Sequence, residues 1–240
     1  MGTLTRIFDP LLKKFLSYQR AWIQDPSAIA VHRKSPKIGV TYADAMKTLI
    51  DACAGFNTEY VANVGECRRY REMICRLALE SQIFMEDCGG ILKLNNGALI
   101  SVGRGFPRGV VPHSVVIDHA AQMDDLKAVI GVCLDAGIKQ LRLISTCNGA
   151  HSQFERVHEI VASHIRNYPP EVIQEITAQP ISIHTTTLDD AIAAGWFETL
   201  SEMMGNDASF LTAQAYRTKM LEIYYPHSQE LLFCDPSEGA

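Results

Sequence analysis

The sequence predicts a single α/β domain with a mainly parallel β-sheet that helices cover on both faces. Short apolar runs alternate with amphipathic segments along most of the 240 residues, which is the pattern of repeated β-α units. The composition, 47% hydrophobic and 20% charged, is sufficient for one substantial core. We therefore expect residues 1–240 to form one domain.

The predicted elements begin with a helix within residues 4–23 and a strand over 28–33. Apolar periodicity and turn residues set the remaining elements, and Gly137 ends one of the helices. Further helices are expected over 42–53, 67–82, 124–136, 151–167, 188–204 and 209–224. Further strands are expected near 60–62 and over 113–118, 140–145, 181–185 and 230–234. Pro169–Pro170 marks the only plausible break, inside the domain.

One local pair of strands is predicted to be antiparallel. The apolar runs Ile91–Leu94 and Ala98–Val102 flank the turn Asn95-Asn96-Gly97. Asn-Gly between apolar runs is the strongest short-range hairpin signal. We therefore expect a β-hairpin over residues 91–102.

The segment after the first strand has the arrangement of a phosphate-binding loop. The apolar run Ala28–Val31 leads to Lys34–Thr41, and an amphipathic helix follows. A strand that stops at a turn before a helix leaves helical N–H groups free to bind an anion, and a nearby lysine adds positive charge. Val40 stands where the common G-x-x-x-x-G-K-[ST] pattern has its lysine. A solvated basic loop is therefore the alternative interpretation.

Two later strands deliver polar residues to their carboxyl ends. The run His113–Asp118 ends in a carboxylate, the group with which nucleotide hydrolases hold Mg²⁺ between the phosphates. Thr41 is the natural hydroxyl ligand for the same ion. The next strand ends in Ser145–Gly149, a run of small polar residues suited to contacting a γ-phosphate. The sequence thus predicts three polar segments at three strand ends.

Six segments along almost the whole chain share the order and spacing of a known set of motifs. They are Tyr18–Asp25 (YQ..W..D), Lys34–Ala45 (KSRQIG.(S/T).A.A), Arg108–Gly109 (RG), Val115–Ala121 (VVIDEAA), Ile144–Phe154 (ISTP.G....F) and His184–Ala191 (H.TTL.DA). Together they resemble the large terminase subunit of tailed bacteriophages, the ATP-driven motor that packs DNA into proheads. The likeness is to the branch related to transposable, Mu-like phages.

This resemblance implies an ASCE-type P-loop NTPase fold and, as ligands, ATP and Mg²⁺. In this branch the lysine that binds the phosphates lies at the front of the loop, so the resemblance assigns this role to Lys34. The absence of a lysine at position 40, where Val40 stands, then does not count against a phosphate-binding loop. Gln19, in the helical segment 1–27, is expected to read adenine. Lys37 either neutralises charge in the transition state or is exposed. The loop residues expected to bind the nucleotide are Lys34, Ser35, Lys37, Ile38, Gly39, Val40 and Thr41.

The resemblance also implies the catalytic and metal-binding roles. Thr41 and Asp118 are expected to hold Mg²⁺, and Ser145 and Thr146 to sense the γ-phosphate. His119 stands where the family has the Glu that activates water. An imidazole is an uncertain base for this step, so an alternative is a motor-derived protein that binds nucleotide without turnover. Substitute bases to be considered are Asp124, Asp125 and Glu66.

Related large subunits carry a nuclease domain after the motor, and the sequence ends at Ala240. We therefore expect no nuclease activity in this chain. Double-stranded DNA and a homo-oligomeric ring are the partners that the resemblance implies. A small terminase subunit, a portal protein and a separate nuclease chain are further candidates.

Charge and cysteine content restrict the partners and the compartment. The net charge is −5 with a pI of about 5.9, so contact with DNA must be local. Two basic clusters are candidates for that contact: Arg68, Arg69 and Arg71, and Arg104 with Arg108. No apolar run is long enough to span a membrane, and seven cysteines without C-x-x-C spacing suit a reducing compartment. We expect a cytoplasmic protein.

A different class of function is also compatible with part of the sequence. Cys67 lies at a predicted helix start, where a thiol pKa is lowered, and His113 and Asp118 follow downstream. This arrangement is that of a thiol hydrolase or transglutaminase. The β-α units after His113 do not fit those folds, and a cysteine beside a helix more often serves packing.

Overall fold

The structure, a computed structural model, describes residues 8–103, 105, 109–149, 152–167, 180–204 and 212–235. The predictions made for Arg104, Arg108 and Pro169–Pro170 lie outside these residues. Within the described part of the chain, none of the helices has both the length and the apolar character needed to cross a membrane.

An eight-stranded sheet forms the centre of the described chain, in the order β3-β4-β5-β2-β6-β7-β1-β8. The six strands from β5 to β8 in this order are parallel, whereas β3, β4 and β5 pair antiparallel. The strands are β1 Ile29–Lys34, β2 Thr58–Val61, β3 Met85–Asp87, β4 Ile91–Leu94, β5 Leu99–Val102, β6 Ser114–Asp118, β7 Gln140–Ser145 and β8 Ile181–Thr186. The mainly parallel sheet is therefore confirmed.

Helices occupy most of the connections between these strands. Residues 8–12 are also helical, ahead of the first full helix. The helices are α1 Ser17–Gln24, α2 Val40–Cys53, α3 Val64–Glu80, α4 Leu126–Asp135, α5 Gln153–Asn167, α6 Leu188–Ala193, α7 Trp196–Met204, α8 Ala213–Ile223 and α9 Ser228–Phe233. A short 3₁₀ turn, Ala120–Gln122, follows β6.

Two separate hydrophobic clusters show that both faces of the sheet are covered. Alternate residues of a strand point to opposite faces. Ala30 of β1 accordingly joins the cluster that contains α1, α2 and α3, whereas its neighbour Val31 joins the cluster with α4 and α5. In β6, Val116 and Ile117 divide in the same way. The prediction of helices on both faces is confirmed.

Most predicted elements are present with ends shifted by a few residues, including the hairpin of β4 and β5. Three predictions were wrong. The single helix expected within residues 4–23 is two helical segments, 8–12 and α1, separated by a turn. The helix over 188–204 is two helices, because Gly195 has φ 95° and interrupts it. The strand over 230–234 is instead the helix α9. A short apolar run is compatible with either structure, and periodicity alone does not separate them.

A buried ion pair ties α2 to the middle of the sheet. The Arg142 guanidinium of β7 donates to Asp44 Oδ1 at 2.7 Å and to Thr48 Oγ1 at 3.0 Å. Asp44 also accepts hydrogen bonds from Trp22 Nε1 and from the Tyr70 hydroxyl, at 3.0 and 2.7 Å. One carboxylate therefore connects β7, α1, α2 and α3, and it fixes the helix that follows the phosphate loop.

We expect Arg142→Ala to lower the free energy of unfolding by about 3–5 kcal/mol, because it leaves the Asp44 carboxylate buried without its counter-charge. The control is Arg76→Ala, which removes an exposed pair with Glu80 at 3.0 Å and should cost at most about 1 kcal/mol. Urea denaturation measures both variants. Equal losses would show that the buried pair is not a specific support of the fold.

Candidate functional site

The connection between β1 and α2 is a tight five-residue loop, 35–39, and it ends directly at the N-terminus of α2. Lys34 ends β1 and is 6% exposed, and Ser35 is fully buried. Gly39 is the N-cap of α2 with φ 78°, in the left-handed region. The helix begins at Val40, two residues earlier than predicted, so the backbone N–H groups of its first turn lie directly after the loop.

Gly39 is required here for two independent reasons. Its positive φ is strained for other residues. A Cβ at this position would also lie 2.5 Å from Gln19 Nε2 and 3.1 Å from the Trp196 ring. The loop therefore has side chains packed against its backbone.

Tyr18 and Gln19 of α1 brace this loop. The Tyr18 hydroxyl and Gln19 Nε2 both donate to the carbonyl of Ile38, at 2.5 and 3.3 Å. Gln19 Oε1 accepts from the Leu16 backbone N–H at 2.9 Å, so both ends of the amide are engaged. The adenine-reading role of Gln19 stays a prediction, and the structure adds a bracing role that the sequence did not indicate.

The structure brings the predicted metal ligands together. Thr41 Oγ1, in the first turn of α2, donates to Asp118 Oδ2 at 2.8 Å. Asp118 ends β6, is 1% exposed, and accepts a second hydrogen bond at Oδ1 from the His119 backbone N–H. Lys34 lies at the carboxyl end of β1, two strand positions from β6 with β7 between, which corresponds to about 10 Å. The three residues thus share one edge of the sheet.

This oxygen pair is suited to Mg²⁺. The ion prefers oxygen ligands and is typically held by one or two carboxylates together with substrate phosphates. A hydroxyl and a carboxylate at hydrogen-bond distance, beside a helix N-terminus, meet that requirement. Among the described residues there is no cluster of three or more His, Cys, Asp or Glu side chains that would hold a metal by itself.

Two hydrogen bonds to residues at or after the end of β7 hold the segment that follows Asp118. His119 has φ 57°, which is strained for a residue with a side chain, and it precedes the 3₁₀ turn. The backbone N–H of Ala121 donates to Ser145 Oγ at 3.0 Å, and Asn148 Nδ2 donates to the Ala121 carbonyl at 3.2 Å. Ser145 therefore positions the segment that carries His119, while Thr146 is half-buried. γ-Phosphate sensing by Ser145 and Thr146 stays a prediction.

A second buried cluster that the sequence did not indicate lies beside the loop. Arg33 precedes Lys34 and pairs with Glu155 of α5 at 3.0 Å, and the Glu155 carboxylate is fully buried. Burial and the charge of Arg33 lower the pKa of His158 to about 4, so this imidazole is neutral at pH 7. Lys37, by contrast, is exposed at the tip of the loop, as one of the two sequence interpretations expected.

Each arginine of the first predicted basic cluster, Arg68, Arg69 and Arg71, forms an ion pair with an acidic residue. Arg68 and Arg69 pair with Glu72 and Glu66 at 3.9 and 2.7 Å, and Arg71 forms an ion pair with Asp87. Glu66, one of the substitute bases considered, is thus engaged with Arg69. Asp124 and Asp125, the other two, are exposed at the start of α4.

The geometry does not favour the thiol-hydrolase interpretation. Burial raises the pKa of Cys67, and its thiol donates to the Ala62 carbonyl at 3.3 Å. A nucleophilic cysteine needs the opposite shift. His113 stacks on Phe56 with ring centroids 4.1 Å apart, whereas Asp118 receives its side-chain hydrogen bonds from Thr41 and from Tyr60.

A parallel sheet with a phosphate loop after β1 and a carboxylate at the end of β6 is the architecture of a P-loop NTPase. No protein-family model matches the chain. Two relatives are similar to it over most of its length. It is 25% identical over 219 residues to the Mu-like prophage FluMu protein gp28 of Haemophilus influenzae, covering 82% of this chain and 40% of the relative. It is 26% identical over 230 residues to the probable terminase large subunit gp28 of Escherichia phage Mu, covering 85% and 39%.

Solved structures support the same fold. The large terminase of a thermophilic bacteriophage, in complex with ADP, superimposes with a TM-score of 0.54 at 12% identity, over 79% of this chain and 50% of that one. The ATPase domain of the Thermus phage P74-26 large terminase gives a TM-score of 0.54 at 16% identity, over 87% of this chain and 94% of that domain. The P-loop NTPase fold and the resemblance to Mu-like large terminases are confirmed. The chain spans about two fifths of the length of its two gp28 relatives.

We expect Gly39→Ala to destabilise the protein more than Gly55→Ala. Both glycines have positive φ, 78° and 95°, but a Cβ at Gly55 meets no atom within 4 Å. The Gly55 variant should show only backbone strain of about 1–2 kcal/mol, and the Gly39 variant should add about 1–3 kcal/mol from its clash with Gln19. Chemical denaturation of both gives the difference, and equal losses would contradict the close packing of the loop.

Proposed function

We propose that this chain is the ATP-binding motor domain of a large terminase, and that it couples ATP hydrolysis to the movement of double-stranded DNA during packaging. The observation that carries the proposal is the 2.8 Å contact between Thr41 and Asp118. It joins the first turn of the helix after β1 to the carboxylate at the end of β6, and this closeness supports a site for Mg²⁺ and phosphate at one edge of the parallel sheet. The names of the gp28 relative from phage Mu and of the similar solved structures support the packaging role.

In this proposal the chain's residues hold the triphosphate at the carboxyl ends of the strands. Lys34 and the loop residues Ser35, Lys37, Ile38, Gly39 and Val40 would surround the β- and γ-phosphates. Thr41 and Asp118 would hold Mg²⁺, which when bound neutralises charge that develops on the transferred phosphoryl group. Ser145 and Thr146, at the end of the adjacent β7, would respond to the γ-phosphate, and Asn148 would hold the segment after Asp118 through its hydrogen bond to the Ala121 carbonyl.

His119 determines whether the bound nucleotide is hydrolysed. His119 directly follows Asp118, the proposed metal ligand, and has a left-handed backbone conformation. Its position in the chain is that of the glutamate that activates water in the terminases the sequence resembles. A neutral imidazole can accept a proton from water, but its ring nitrogens lie at a different distance from the backbone than the carboxylate oxygens of a glutamate, so the geometry of proton transfer differs. Nucleotide binding without turnover is the second candidate function, and this single residue is the observation that favours it.

The partners proposed for the working motor are double-stranded DNA and further copies of this chain in a ring. A small terminase subunit, a portal protein and a nuclease chain are the additional partners. We propose that residues 1–240 act as one ATPase domain in the host cytoplasm. Because Arg68, Arg69 and Arg71 are each paired with an acidic residue, the net attraction of this surface for DNA is weakened in a single copy.

The test is ATP hydrolysis by the full chain, measured with and without double-stranded DNA. We expect Mg²⁺-dependent nucleotide binding and DNA-stimulated turnover. Lys34→Ala should abolish nucleotide binding, and Asp118→Ala should abolish its dependence on Mg²⁺. Lys139→Ala, which removes an exposed lysine before the start of β7 at the other end of the sheet, is the control and should behave as the parent. Binding that survives Lys34→Ala, or that still depends on Mg²⁺ in Asp118→Ala, would refute the proposal.

We expect His119→Glu to raise the rate of ATP turnover, because it restores at this position the carboxylate with which the large terminases that the sequence resembles position and activate the attacking water. His119→Gln, which offers no comparable base, should show no gain. Steady-state phosphate release at saturating ATP and Mg²⁺ compares the three proteins. A Glu variant no faster than the parent would indicate that another group serves as base.

A further inference from the structure

Tyr60 of β2 contacts the metal-binding carboxylate but has no part in the function proposed above. Its hydroxyl donates to Asp118 Oδ2 at 3.0 Å. This is the same oxygen that accepts the Thr41 hydroxyl. β2 pairs with β6, with Tyr60 opposite Val116, so the tyrosine reaches along the sheet to the end of the neighbouring strand. The side chain is fully buried.

The ring of Tyr60 is itself immobilised. It stacks on the ring of Tyr70 from α3, with centroids 3.5 Å apart and an interplanar angle of 12°. The Tyr70 hydroxyl donates to Asp44 Oδ2 at 2.7 Å and lies 2.7 Å from Thr48 Oγ1. Tyr60 therefore stands between the carboxylate at the site and the buried Arg142–Asp44 network, and its hydroxyl has little freedom to move.

An aspartate carboxylate needs such support to act as a reproducible ligand. The terminal torsion of Asp has a broad energy profile, so an unheld carboxylate samples many orientations. In Asp118, Thr41 supplies one donor to Oδ2 and the His119 backbone N–H supplies one to Oδ1, but the Thr41 oxygen would also have to face the ion that it coordinates. The Tyr60 hydroxyl has no such second task, and it would keep Oδ2 directed toward Thr41 throughout.

We propose that Tyr60 is a positioning residue that presets the orientation of the Asp118 carboxylate for Mg²⁺. The inference rests on the proposed nucleotide-binding function and adds to it a residue from outside the phosphate loop and the two strand ends. Outer partners of metal ligands typically change metal affinity by about 10- to 100-fold when they are removed. By donating a hydrogen bond, the tyrosine hydroxyl also lowers the basicity of the Asp118 oxygen. This weakens the affinity of that oxygen for Mg²⁺ and opposes the affinity gained from its fixed orientation. We expect orientation to dominate.

The experiment titrates Mg²⁺ into the full chain with a fluorescent ATP analogue and records nucleotide binding. We expect Tyr60→Phe to raise the Mg²⁺ concentration at half-saturation about 10-fold and to leave nucleotide affinity in EDTA unchanged. The matched control is Tyr70→Phe, which removes the hydroxyl of the stacked partner without touching Asp118. It should lower the free energy of unfolding and leave the Mg²⁺ midpoint unchanged.

A double-mutant cycle separates positioning from general loosening of the site. In an Asp118→Asn background, Tyr60→Phe should cause no further change in nucleotide binding at any Mg²⁺ concentration, because the oriented carboxylate is already lost. An unchanged or lower midpoint in Tyr60→Phe, or an equal shift in Tyr70→Phe, would overturn the inference while leaving the proposed function intact. Absence of Mg²⁺-dependent binding in the parent would instead refute both.

Discussion

The hydrogen bond between Thr41 and Asp118 is the interaction on which the arrangement of the site depends. It joins residues 77 positions apart in the sequence, one on the helix after β1 and the other at the end of β6. Because β7 lies between these strands, the contact forms only when the parallel register of all three is correct. The buried Arg142–Asp44 ion pair holds the same helix, α2, against β7. Site geometry and sheet register are therefore specified together.

The two faces of the sheet are stabilised in different ways. The face covered by α4 and α5 combines apolar side chains such as Leu143 and Phe154 with a buried ion pair, Arg33–Glu155. The face covered by α1, α2 and α3 combines an apolar cluster with a buried polar network centred on Asp44. A charged hydrogen-bond network in the interior requires defined geometry. The loop after β1 leads directly into α2, the helix that carries Asp44, the centre of this network.

Local patterns predicted the described strands other than β3, the hairpin and the polar strand ends, because each depends on a few adjacent residues. The prediction failed for α9, where a short apolar run fits a strand as well as a helix, and at Gly195, which divides a predicted helix. Within the site, Thr41 and Asp118 were found because their residue types follow recognisable strands. Tyr60 was not, since a tyrosine in a short strand is ordinarily core, and only the three-dimensional pairing of β2 with β6 reveals its contact.

The packing of Gln19 over Gly39 has a consequence for how the sequence can diverge. A side chain at position 39 would occupy the volume that the glutamine amide now fills. Homologues that have lost the glycine should therefore carry a smaller residue at position 19, and those that keep the glutamine should keep the glycine. These two sites, far apart in the primary structure, are expected to evolve as a coupled pair.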